Sequence, residues 1–177
     1  MSVLLTYRQE FAWTEAEVER SRQWGSFGGE MTTNMHEVIG HASGKLAERL
    51  GGSAQPYLKE QYSALEEARA DLVGLYFLPD PKLVELGVLP AGSQEDIVMA
   101  RYEGYTRNAL LQLRRIREGT QIEQDHMRNR QMVVHWLMAN TDAIEKRVRG
   151  GKTFYVMVDW RAFHAGVETL LGEVQRI

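Results

Sequence analysis

Two histidines five residues apart constrain this chain more than any other feature. They stand in His36-Glu37-Val38-Ile39-Gly40-His41. On an ideal helix five residues rotate through about 500°, which leaves the two rings about 140° apart, against about 40° for a spacing of four. Rings so placed meet at one point only if the helix takes up the extra residue as a π-type bulge, returning His41 to the face of His36. Gly40, immediately before His41, tolerates such a backbone. The pattern is one residue longer than His-Glu-x-x-His, in which a single helical turn supplies two metal ligands and a base.

A hydrolytic zinc site takes three protein ligands and keeps one position open for water. Water held there has its pKa lowered toward ~7. A carboxylate beside it takes the proton and returns it to a leaving amine, which makes Glu37 the candidate general base. The chain has no cysteine, so any further ligand must be His, Asp or Glu. Glu66-Glu67-Ala68-Arg69-Ala70-Asp71 lies in the next helical stretch, with Glu67 26 residues past His41. Antiparallel packing would set these carboxylates opposite the histidines. One of them can ligate, while Asp71, a turn beyond Glu67, can orient an imidazole.

With 177 residues and 44% apolar content, the sequence reads as one ordinary globular domain spanning residues 1–177. A formal net charge of −3 gives no footprint for nucleic acid or an anionic membrane. The cationic run Arg114-Arg115-Ile116-Arg117 has acidic residues within a turn or two and reads as a solvated helix face. The apolar run in Met1–Arg8 is too short for a signal peptide, and no stretch approaches the ~20 apolar residues of a membrane span. A soluble, cytoplasmic chain is expected, which the lack of cysteine fits without proving. Gly40 to Leu46 is not a phosphate loop, because the glycine spacing is short and Leu46 replaces the hydroxyl residue.

Most of the sequence is expected to be helical. Thr14 to Glu17 reads as a capping box opening a short helix to about Trp24. Residues 25–29 read as a loop, followed by a helix from about Glu30 to Leu50 that Gly51-Gly52 stops. A second long helix is expected from about Tyr57 to Leu78, then a short turn of helix around 81–86. Ser93 starts another long helix to about Glu118, with Ile97, Ala100, Leu110, Leu111 and Leu113 inward, and a further one covers about 122–139. Gly150-Gly151 between 144–149 and 153–158 is a hairpin signal. Asp159 caps a last helix to about Val174. The fold class is mainly α, with one small β-hairpin near the C-terminus.

The motif pair resembles that of the dipeptidyl peptidase III family of zinc exopeptidases, HExxGH followed by EExRA(E/D). The likeness extends through Ala42 to Leu46, with Ala42 where the family usually has Gly, and through Gly74-Leu75-Tyr76, His126 to Arg130, and the tail from Gly150 to Ile177. The resemblance implies one zinc ion held by His36, His41 and Glu67, with Glu37 as general base. It implies Glu66 and Asp71 as supports of the ligands; the family often has Glu where Asp71 stands. It implies His126 in transition-state stabilisation. His135 and His164 match no motif of the family and are expected to be structural. Family members are several times longer and have two lobes, with peptide bound between them. The chain therefore looks like most of the zinc-binding catalytic lobe, without the lobe that grips the peptide amine.

The implied activity is release of N-terminal dipeptides from short peptides. The alternative is a zinc-binding structural or partner-binding helical domain without activity of its own, and a metal-free interaction module stands behind that. An intact Glu37 favours the enzyme, since a purely structural site needs no base.

Overall fold

The computed structural model describes residues 10–114, 116, 122 and 124–177. The expected helix ends at 115, 117–118 and 123, and the segment Met1–Arg8, lie outside these described residues. The architecture is helical: α1 (Glu15–Met35), α2 (Gln55–Leu58), α3 (Tyr62–Phe77), α4 (Lys82–Glu85), α5 (Gln94–Leu113), α6 (Asp125–Asn140) and α7 (Trp160–Val174), with β1 (Ile144–Arg149) and β2 (Lys152–Met157) before the last helix. The mainly α expectation holds, hairpin included. No helix among the described residues is long and apolar enough to cross a membrane.

Two expected elements at the start merge into one. The glycines at 25, 28 and 29 do not make a loop; they lie inside α1. At Gly28 a Cβ would stand 3.2 Å from the carbonyl oxygen of Ile97. The residue is small because α1 crosses α5 closely, not because the chain turns. Thr14 caps α1 as expected, its hydroxyl accepting from Glu17 N–H at 3.2 Å. Glu17 reaches back to Trp13 N–H at 3.2 Å and also pairs with Arg107 of α5 at 2.9 Å, a buried ion pair pinning the two helices.

The helix expected to run to Leu50 also ends early. After α1 come a π turn (His36–Gly40), irregular chain, and a 3₁₀ turn (Glu48–Leu50) that Gly51 closes at φ 60°. Helix α3 starts at Tyr62 rather than Tyr57, because Lys59 takes φ 49° and separates α2 from it. In the hairpin Ile144 pairs with Met157 and Arg149 with Lys152, so β2 lies one residue earlier than expected. Gly150 and Gly151 take φ 59° and 74°, as a two-residue turn of the primed type requires.

Helix α3 is the hub, packing on α1, the π turn, α6 and α7. Its inward residues are mostly small or aliphatic, with Ala68, Ala70, Leu72 and Leu75 fully buried. Small side chains permit close helix approach: at Gly74 a Cβ would meet Thr32 O at 2.7 Å. From α5, Ile97 and Ala100 are buried as expected, but Leu113, the last residue of the helix, is 39% exposed. Tyr102 and Tyr105 of α5 are wholly buried, and Phe163 of α7 stacks on Tyr102 at 4.2 Å between centroids. Burying a phenol is tolerable only with a partner for its hydroxyl. Tyr102 donates to Leu75 O and Tyr105 to Asp71 Oδ2, each at 2.9 Å.

Candidate metal centre

The π turn performs the geometry the spacing demanded. His41 N–H donates to His36 O at 3.0 Å, a bond across five residues, and the two rings sit edge to face with centroids 4.7 Å apart. Their Nε2 atoms stand 3.0 Å apart. Gly40 has a different reason from the one its flexibility suggested. Its φ is not positive; instead a Cβ there would lie 2.8 Å from Ala70 Cα. The π turn rests directly on α3, and only hydrogen fits between them.

That contact brings the carboxylates of α3 under the histidines. Glu67 Oε2 lies 3.3 Å from His36 Nε2 and 4.0 Å from His41 Nε2. Two ligands about 2.1 Å from a tetrahedral ion stand about 3.4 Å apart, so three atoms at these separations suit one zinc-sized cation. A further observation agrees: Glu67 Oε2 is buried yet has no hydrogen-bond partner. A buried carboxylate oxygen in that state is costly unless a cation meets it. Glu37 also offers an atom near both histidines, and with His36 and His41 it forms a possible metal-holding group. Its carboxylate, 64% exposed and 4.0 Å from His36 Nε2, stands to the open side.

Each histidine has its own carboxylate behind it. His36 Nδ1 is 2.9 Å from Asp71 Oδ1, and His41 Nδ1 is 3.2 Å from Glu66 Oε1. The bond to Asp71 raises the His36 pKa above its ordinary value, against the opposing effect of burial. Burial would raise the Asp71 pKa, but His36, Arg130 and Arg101 together hold it far below the usual carboxylate range. For Glu66 too, burial is outweighed, by hydrogen bonds from Arg69 and His41 that lower its pKa.

His126, at the start of α6, places Nδ1 3.3 Å from Glu67 Oε2 while its side chain stays 70% exposed. It therefore belongs to the same cluster, on the solvent side. His164 stacks on Tyr76 at 5.4 Å and meets Tyr102 Oη at 3.3 Å, and His135 packs edge-on to Tyr155 at 5.7 Å. Both are away from the cluster. Beside His41 and Glu66 opens a cavity of about 520 Å³, whose lining includes Leu46, Leu58, Leu65, Lys45 and Arg49.

Three polar residues of the surroundings carry no signal that periodicity could expose. Tyr105 and Arg130 both reach Asp71 Oδ2, at 2.9 and 3.3 Å, and Arg130 lies over the Tyr105 ring at 4.2 Å. Arg69, inside the acidic motif, points back to the π turn.

A helical scaffold that brings two imidazoles and a carboxylate oxygen within about 4 Å of one another, with an acid alongside, suits a metallopeptidase. The sequence model of peptidase family M49 matches residues 51–173, and the chain belongs to that family, the dipeptidyl peptidase III family of metallopeptidases. The matched span contains Glu66, Glu67, Asp71 and His126 and begins after His41, so the two histidines rest on the local geometry. No curated protein gives a match to the chain.

Proposed function

We propose that the chain is the catalytic core of a zinc-dependent dipeptidyl peptidase, with His36, His41 and Glu67 holding one zinc ion. The observation that carries this reading is the convergence of the two Nε2 atoms on Glu67 Oε2, a buried oxygen that accepts no hydrogen bond. When bound, the ion supplies Lewis-acid activation of water near neutral pH.

The chain's own residues supply the rest. Glu37, exposed beside the pair, takes a proton from the attacking water and returns it to the leaving amine. Asp71 and Glu66 fix the tautomer and direction of the two rings by accepting from their Nδ1–H groups. His126, exposed at the mouth, donates toward charge that develops on the scissile carbonyl oxygen. The cavity beside His41, lined by both aliphatic and charged side chains, gives a short peptide room next to these groups. An intact Glu37 favours this over a purely structural zinc domain.

The test is metal content followed by hydrolysis. The purified chain should bind one zinc per molecule, and what little dipeptide it releases from a chromogenic dipeptide substrate should depend on Glu37. The resemblance assigns the grip on the peptide amine to another lobe, and such positioning contributes ~7–11 kcal/mol in well-oriented cases. Turnover by these residues alone should therefore be at least ~10³-fold below that of a two-lobed member in kcat/KM. Failure to bind zinc, or hydrolysis indifferent to Glu37→Gln, overturns the reading.

A further inference from the structure

We propose that Arg69 is a positioning residue that clamps the π turn and so holds His41 at the metal position. This rests on the reading of His41 as a ligand but names a residue and a device beyond it. Arg69 is 9% exposed, in the middle of α3, and each nitrogen of its guanidinium meets a partner on one side of the site. Nη2 donates to Gly40 O at 2.7 Å, and Nη1 lies 3.4 Å from Ser43 Oγ. Nε donates to Glu66 Oε2 at 3.0 Å, and Nη2 also to Glu66 Oε1 at 2.9 Å. Glu66 Oε1 is in turn the atom that meets His41 Nδ1.

Arg69 thus reaches His41 by two routes. One is through the side chain: a two-pronged bond fixes the Glu66 carboxylate, and Glu66 fixes the ring. The other is through the backbone: Gly40 O is the carbonyl immediately before His41, at the C-terminal end of the π turn. It also accepts from Ser43 N–H at 3.4 Å and Ser43 Oγ at 3.3 Å, and Arg69 makes the shortest of its bonds. A π turn is a rare conformation that persists where its surroundings hold it. Here the holding group is a cation bonded to the last carbonyl of the turn. Lysine would not substitute, because only the planar guanidinium presents donors in the fixed directions that a carboxylate and a carbonyl need together.

His36 touches this circuit only through its contacts with His41, whose Nε2 is 3.0 Å from its own. It is held by Asp71, which Tyr105 and Arg130 support from the other side. Loss of Arg69 should therefore disturb His41 more than His36, which a general loss of packing would not do.

The experiment uses metal-free and zinc-loaded chain, with Arg69→Gln and Arg69→Lys beside an exposed control, Arg161→Gln. In the metal-free protein, amide exchange at His41 N–H and the ring nitrogen shifts of His36 and His41 are read by NMR. Arg69→Gln should speed exchange at His41 and move the His41 ring signals well beyond those of His36, with Arg69→Lys between Arg69→Gln and wild type and Arg161→Gln unchanged. Zinc affinity by chelator competition should fall 10–100-fold in Arg69→Gln, the usual scale for losing a group that supports a ligand. If Arg69→Gln does not fold, Arg69→Lys carries both readouts, because it keeps the charge and loses the fork. Folded variants with wild-type exchange at His41 overturn the proposal. So does equal disturbance of the two rings. A wild-type chain that binds no zinc overturns the function proposed above, and the metal-free exchange then still decides the clamp.

Discussion

Asp71 Oδ1 lies 2.9 Å from His36 Nδ1, while its other oxygen accepts from Tyr105 and Arg130. One carboxylate thereby ties the π turn to α3, α5 and α6. Asp71→Asn should weaken zinc binding 10–100-fold without abolishing it, since the ring keeps its place but loses basicity and a fixed tautomer. Chelator competition on the folded variant measures this.

The same pair predicts how metal-free stability depends on pH. The His36 pKa is raised above its ordinary 6.5, so its share of stability is full below 6.5 and is lost as pH rises through the elevated folded value. The Asp71 pKa is depressed, so its share is full above its ordinary 3.8 and is lost as pH falls toward the folded value. The penalty of Asp71→Asn in chelator-treated protein should therefore be largest between about pH 4 and 6.5. It should be smaller at pH 8.5 and shrink again below pH 4. Urea unfolding across this range tests the window; a penalty constant with pH would sink it.

Removal of zinc should lower the melting temperature, because an ion bound by both the π turn and α3 favours the native state. Loosening should concentrate in residues 36–71 and spare the core that α5 and α7 form with Leu72 and Leu75, whose aromatic and aliphatic contacts need no metal. Calorimetry with and without chelator reads the first part, and amide exchange the second.

Ligands and base separate by substitution. His36→Ala, His41→Ala and Glu67→Ala should lose zinc, and Glu37→Gln should retain it. In an active two-lobed context Glu37→Gln should cut turnover by roughly 10²-fold or more, the scale of lost proton transfer. Zinc kept in Glu67→Ala but lost in Glu66→Ala would show that the wrong carboxylate had been assigned.

Two glycines should respond in opposite directions. Gly40→Ala drives a methyl to 2.8 Å from Ala70 Cα, an overlap between backbones that side-chain motion cannot relieve. It should cost roughly 1–3 kcal/mol and lower zinc affinity. At Gly29, inside α1, a Cβ meets nothing within 4 Å. Gly29→Ala should stabilise the chain by roughly 0.5–1 kcal/mol. Equilibrium unfolding of the two variants decides both.

The sequence by itself determined the parts whose cause is local. Histidines five apart require a π turn if they are to meet, and the turn is there. Thr14 and Asp159 cap the helices they precede, and Gly150-Gly151 turns the hairpin, because capping and turn geometry depend on a few adjacent residues. The acidic motif on the next long helix was legible for the same reason. Tertiary structure alone decided the roles of the glycines and the supporting cations. Glycine serves a turn and a close helix crossing equally well, so residues 25–29 read as a loop until α5 stood against Gly28. Gly40 reads as flexibility until α3 stands against it. Arg69, Tyr105 and Arg130 come from three helices, and their partnership with the π turn exists only once those helices pack. A side chain's periodicity says which way it faces; what it meets there is set by the other elements.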